Sequence, residues 1–295
     1  MAWRRGWEEA GRLNERGRGL EDAGDLDGAL AAYVAAFTAD PRHGASLFNA
    51  GRIYKWRCQW HEAVACNVRA AEIDGGEQEP AWWNLGIAAT GLRDWELARR
   101  AWRSYGVDIP DGTGPIDGNF GNTPVRLNPD TSGEVVWGRR LDPARVRILN
   151  IPFAESGHRF GDIVLHDGAP NGERMSNGQA RPVFDELERW EASSIPTFQV
   201  RARVASEDDV DRLAFLTDAG GWGGEDWTTV RLICKSCSEG AASDQHEHRP
   251  EPDGDWQIDR NLAIAAPAFH VHALLETWVR EAPNRREHDV PVEVA

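Results

Sequence analysis

The sequence predicts a multidomain protein of the α plus α+β class: an N-terminal helical-hairpin repeat solenoid, a small β-rich unit, and a C-terminal α+β sandwich. Three observations carry this expectation. Gly17, Gly51 and Gly86 recur at spacings of 34 and 35 residues, and Ala29, Ala63 and Ala98 recur at the same spacings. Between Asp111 and Asp130 the composition turns abruptly to Gly, Pro and Asn, which break helices. Beyond that point the apolar residues alternate with period two in many stretches, as half-buried strands require.

The helical part comes first. Trp3 and Trp7 stand at i,i+4 and predict a short helix leaning on the first repeat. Helices are then expected over about 10–23, 26–39, 44–57, 60–73, 80–91 and 94–106. The recurrent small residues belong where the two helices of a hairpin approach so closely that a larger side chain would push them apart. Residues Gly17, Ala29, Tyr33, Ala36 and Pro41 form one copy of a pattern, and Gly51, Tyr54, Ala63 and Ala70 a second. Trp82, Leu85, Gly86, Ala98, Trp102 and Pro110 form a third, and over residues about 10–112 the chain resembles the tetratricopeptide repeat family. The second copy departs from the pattern by ending in Gly75 and Gly76 instead of a proline.

The expected domains are 1–112 for the repeats, 113–130 for a linker or crossing loop, 131–192 for the β-rich unit and 193–295 for the last domain. Strands are read in EVVWGRRL, VRILNIP, FGDIVLHDG and ARPVFDELERW, separated by Gly, Pro and Asn turns. Gly161, Asp162, His166 and Asp167 read as turn formers at strand ends rather than as a metal or catalytic cluster. Further on, a strand from Phe198 to Val204 is followed by a helix capped by Ser206, with Asp209 at capping-box spacing, and by a strand over about Trp227 to Cys234. The order repeats with a strand from Leu262 to Ala266, a helix carrying Val271, Leu274, Leu275 and Trp278, and a last strand alternating at Val290, Val292 and Val294. Two βαβ units in succession predict a ferredoxin-like α+β sandwich.

For function, the resemblance implies a concave face lined by the first helix of each hairpin. It would carry Asn14, Glu15, Arg18, Phe48, Asn49, Arg52, Lys55, Trp83, Asn84 and Ile87. Family members use such a face to hold an extended peptide or a partner helix, and Asn49, Asn84, Arg52 and Lys55 are similar to residues that grip a peptide carboxylate in some of them. Glu15 and Asp22 oppose such a clamp in the first copy, and the alternative is that the face packs on the C-terminal part of the same chain.

The second candidate site is CKSCSEGAASDQHEHRPEPDGDW, between the two βαβ units. Cys234 with Cys237, and His246 with His248, are two short chelates eight residues apart, a set of four ligands that suits a structural zinc. A redox CxxC and a metal-free loop are the other readings, and a metal-dependent enzyme using this loop is the rival function. His270 and His272 are read as helix N-terminal residues, Cys66 and His61 as packing and surface residues.

Charge narrows the partners. Of the net charge of −15, residues 1–110 hold 14 Lys and Arg against 16 Asp and Glu, so nearly all the acidity falls on residues 111–295. Such a surface repels nucleic acid and steers a basic protein partner, or serves only to keep the protein in solution. There is no apolar run near the ~18 residues of a membrane helix and no apolar signal core at the start, which reads as cytoplasmic. Walker, GxGxxG, GxSxG and HExxH motifs are missing from the sequence, which favours an interaction or adaptor protein over an enzyme.

Overall fold

The computed structural model describes residues 2–73, 79–131, 133–176, 178–230 and 256–295. The chain divides into two units, Met1–Asn119 with Leu141–Ala144 and Phe120–Arg140 with Arg145–Ala295.

The first unit is built from α1 (Ala2–Asp22), α2 (Leu26–Ala39), α3 (Gly44–Trp56), α4 (Trp60–Ile73), α5 (Glu79–Gly91) and α6 (Trp95–Tyr105). The region around Trp3 and Trp7 is continuous with α1 instead of forming a separate short helix. Side-chain caps set the starts: Asp25 Oδ1 accepts from Gly28 N at 2.9 Å, and Asp94 Oδ1 from Leu97 N at 3.0 Å. Gly106, at φ 98°, closes α6 in the left-handed conformation. The recurrent glycines mark the tightest approaches within each pair. A Cβ on Gly17 would lie 2.5 Å from the Tyr33 ring, on Gly51 2.6 Å from Asn67, and on Gly86 2.7 Å from the Trp102 indole. Ala29, Ala63 and Ala98, the other recurrent set, are fully buried. After α6, Arg99 donates to the carbonyls of Pro110 and Gly114, and Arg103 to that of Ile109, which pins the exit segment to the helix that precedes it.

The second unit opens with a closed five-stranded barrel of β1 (Asn122–Leu127), β2 (Glu134–Arg140), β3 (Arg145–Ile148), β4 (Ile163–Ser176) and β5 (Gln179–Glu191). Neighbours are antiparallel except for the closing pair β1 and β5, which is parallel. Val125, Leu127, Val136, Val146, Ile148 and Val164 fill it. β1 lies inside the stretch read from sequence as a linker. Pro124 argues against a strand there, but it stands opposite Trp137, whose carbonyl accepts from Leu149 N at 2.9 Å and does not need the N–H that proline lacks. Gly138 is required by the closeness of β3, since a Cβ would fall 2.1 Å from Val146.

The second sheet contains β6 (Thr197–Val204), β7 (Gly223–Asp226), β8 (Asp259–Ala265), β9 (Arg286–His288) and β10 (Val292–Glu293), in the order β10-β6-β8-β7 with β9 also paired to β6. All its pairs are antiparallel. Helices α7 (Glu207–Ala219) and α9 (Ala268–Glu281) cover one face, and a single turn α8 (Trp227–Val230) follows β7. Leu262, Ile264 and Ala266 join the helix-side core with Val200, Leu213, Leu275 and Trp278. Ala263 and Ala265, on the opposite face, pack with Ile151 and Trp227, and Trp227 Nε1 donates to the Ile151 carbonyl at 3.1 Å. Ile151 follows the barrel strand β3, so the two stretches read as separate bodies share this core.

Three local expectations change. Of the strand expected over about Trp227 to Cys234, Trp227–Val230 is the helical turn α8 and residues 231–234 lie outside the described residues; a strand precedes them at β7, where a Cβ on Gly223 would meet Phe160 at 2.9 Å and Ile151 at 3.0 Å. The expected last strand, alternating at Val290, Val292 and Val294, is reduced to β10, and a further strand, β9, precedes it on the same neighbour. Ser206 is the N-cap of α7, but its hydroxyl donates to Asp209 Oδ2 at 3.1 Å and makes no cap bond. Asp209 is instead held by Arg285 and Arg286, at 2.9 and 2.8 Å.

Candidate functional site

The face formed by α1, α3 and α5 is the site that the sequence singles out, and side-chain bonds tie these helices together. Asn49 Nδ2 donates to Asn14 Oδ1 at 3.1 Å, linking α3 to α1, and Lys55 Nζ donates to Asn84 Oδ1 at 3.2 Å, linking α3 to α5. Asn14, Lys55 and Asn84 are buried. An amide from each hairpin therefore takes part in the seam between neighbours.

The cations on this face have partners within the chain. Arg52 pairs with Glu21, whose carboxylate also accepts the Tyr33 hydroxyl at 2.8 Å. Burial and then Glu21 hold the Tyr33 phenol above its ordinary range, so it donates and does not ionise. The Arg52 guanidinium also lies 5.0 Å from the Trp56 ring. Arg18, more exposed, pairs with Glu15 one turn earlier at 3.1 Å. The acid that answers Arg52 is thus Glu21 and not the Asp22 noted in the sequence. A side chain one turn beyond Arg18 on α1 was the available signal.

Aromatic rings run from this face, at Trp56 of α3 and Trp83 of α5, onto α6, which carries Trp102 and Tyr105. Trp83 meets Trp102 edge-on at 5.1 Å and Tyr105 at 4.7 Å, while Trp56 and Tyr105 are 39% and 37% exposed. Phe48 is half-buried against the core of the first two hairpins. Ile87 is fully buried, so it is withdrawn from any contact surface; its position in the pattern was right for α5 but its side chain belongs to the core.

The other candidates separate clearly. Asp162 accepts from Arg159 N at 3.0 Å and from Ser193 N at 2.6 Å, and Gly161 has φ 84°, so both build turns. His166 is buried with Nδ1 2.6 Å from the Asp167 carbonyl, and Asp167 Oδ1 accepts from Gly168 N. Cys66 is buried, and burial pushes its thiol up to about 11, while His61 is exposed. Cys234, Cys237, His246 and His248 lie outside the described residues. Among the described residues no group of three or more His, Cys, Asp and Glu side chains is arranged to hold a metal, and no helix is long and apolar enough to cross a membrane.

Sequence reasoning missed one cluster, in the second unit. His158 Nε2 lies 2.7 Å from Glu186 with both side chains 7% exposed, and Glu134 accepts from Phe153 N at 3.1 Å. Asn150 Nδ2 donates to Glu225 Oε1 at 2.6 Å. Burial, with Glu225 adding to it, pushes the Glu134 carboxyl up to about 7, and burial raises Glu225 as well. For His158 burial works against protonation, but the bond to Glu186 outweighs it and the imidazole is raised. These residues lie far apart in sequence and no spacing rule could have joined them.

No protein-family model matches the sequence, and no curated protein matches it. Among solved structures the chain is similar to the second TPR domain of Spaghetti (RPAP3) bound to the HSP90 peptide SRMEEVD, at 23% identity over 33% of this chain and 89% of that one, with a TM-score of 0.31. It is also similar to the Arabidopsis OM64 TPR domain, at 18% identity over 34% of this chain and 82% of that one, TM-score 0.31. A third is the N-terminal domain of stress-induced protein-1 (STI-1) from C. elegans, at 19% identity over 34% and 87%, TM-score 0.31. The two named as TPR are tetratricopeptide repeat domains, and each of the three spans about a third of the present chain.

Proposed function

We propose that this chain is a protein-interaction or adaptor protein whose helical repeats hold an extended peptide segment of a partner. The observation that carries the reading is the seam of Asn14, Asn49, Lys55 and Asn84, which joins three successive first helices through polar side chains beside their apolar core. Asn49, the half-buried amide of this seam, is suited to bonding an extended backbone, whose N–H and C=O groups repeat along its length. Affinity capture comparing the full chain with an Arg52→Ala, Trp83→Ala double variant tests it. Loss of partners in the variant supports the proposal, and retention of every partner contradicts it.

Residues 193–295, within the second unit, are proposed to be a ferredoxin-like body with an inserted loop. The order β10-β6-β8-β7, antiparallel throughout with α7 and α9 on one face, supports this. Cys234, Cys237, His246 and His248 are proposed to bind a structural zinc that staples the insertion, supported by their spacing. Metal analysis of the purified chain should find one zinc per chain that a Cys234→Ser, Cys237→Ser variant lacks; a metal-free chain contradicts the staple. The acidity of residues 111–295 supports a basic protein as a second partner, with cytoplasmic residence as the expected setting.

A further inference from the structure

We infer that the repeat face selects an uncharged extended segment carrying an aromatic or large aliphatic side chain, and not an acidic tail. This rests on the peptide-binding reading above and specifies its partner. The reason is that the cations available for gripping carboxylates are already answered from within the chain. Arg52 is paired with Glu21, Arg18 with Glu15, and Lys55 is 3% exposed with its ammonium on Asn84 Oδ1. A carboxylate that approached Arg52 would stand beside Glu21, which already answers that charge. Like charges at that distance disfavour each other, so an acidic ligand gains little from the arginine it captures.

The uncharged surface is what remains on offer. Trp83, Tyr105 and Trp56 supply aromatic area of the kind that dominates contact energies, and the first two form one wall at 4.7 Å. Buried polar groups on the face already bonded to each other require no charged partner to satisfy them. An apolar side chain can therefore lie against the wall while Asn49, the half-buried amide, meets the segment's backbone.

The test uses the full chain and two fluorescein-labelled heptapeptide pools. One has Asp or Glu at three positions and a free C-terminal carboxylate. The other has no ionisable side chain, an amidated C-terminus and Phe, Trp or Leu fixed at its centre. The inference predicts binding of the uncharged pool at least about tenfold tighter than the acidic pool. Trp83→Ala should weaken the uncharged pool about fivefold or more, and Glu21→Gln, by releasing Arg52, should improve the acidic pool. Tyr105→Ser, at the exposed end of the wall, replaces Trp83→Ala if circular dichroism shows that variant unfolded. Tighter binding of the acidic pool, abolished by Arg52→Ala, would overturn the inference while leaving the peptide-binding reading intact. Binding of neither pool would overturn both.

Discussion

Trp102 and Gly86 show at the scale of single residues how sequence becomes packing. The indole is fully buried and lies where a Cβ on Gly86 would be 2.7 Å from three of its ring atoms, so neither partner can yield. Alanine is the better helix former by up to about 1 kcal/mol, but overpacking a rigid, enclosed ring costs about 1–3 kcal/mol, and the clash should win. Gly86→Ala is expected to lower the thermal midpoint of the first unit by several degrees; an unchanged or raised midpoint would contradict the packing described. Asp209 is the corresponding position in the second unit. Its side chain is 3% exposed and faces Arg285 and Arg286, whose bonds outweigh burial and hold the carboxyl below its ordinary range. Asp209→Asn leaves two guanidinium groups short of a counter-charge and should cost about 3 kcal/mol by denaturant unfolding. The stability that this carboxylate adds is present above its ordinary range and is lost as pH falls through the depressed value, so the cost of the substitution should shrink in strong acid.

Helices were more legible in the sequence than strands, and the reasons are local. α2 to α6 begin and end within a residue or two of the expected limits, because Asp25 and Asp94 cap them and the Gly and Ala registers repeat. β1 was hidden by Pro124 and its Asn and Gly neighbours, and β7 by two glycines that only the approach of Phe160 and Ile151 to Gly223 and of Thr217 to Gly224 explains. On the candidate face the pattern identified Asn14, Asn49 and Asn84, but neither the Arg52–Glu21 pair nor the burial of Ile87, since both depend on which helix lies alongside. The cluster of Glu134, Glu225, Glu186 and His158 brings together β2, the segment after β3, β5 and β7, and it carries a pH dependence. Unfolded, Glu134 titrates near 4.5, and folded at about 7, so its protonated form stabilises the fold below about 4.5 and that stability is lost as pH rises to about 7. The raised imidazole of His158 has the same sign, its contribution disappearing as pH rises above its ordinary range. The second unit should therefore melt at lower temperature at pH 8 than at pH 5.5. Glu134→Gln should flatten that slope, and an identical slope in the variant would remove Glu134 as its source.

On the scale of the whole chain, two units of different character share one polypeptide. The first carries a net charge of −5 and is built from helical hairpins; the second carries −10 and is built around a barrel and an antiparallel sheet. Each encloses apolar clusters of its own, so Gly86→Ala should leave amide protection in β6 and β8 unchanged while reducing it in α5 and α6. A basic partner on the acidic unit would bind with a strong salt dependence, whereas an uncharged segment on the repeats would bind with little. The most direct measurement is amide hydrogen exchange on the full chain with and without a saturating peptide partner. The account predicts added protection concentrated in α1, α3 and α5, with β1 to β10 unaffected. Protection confined to the second unit, or spread over α2, α4 and α6 with none on the other three helices, would contradict it.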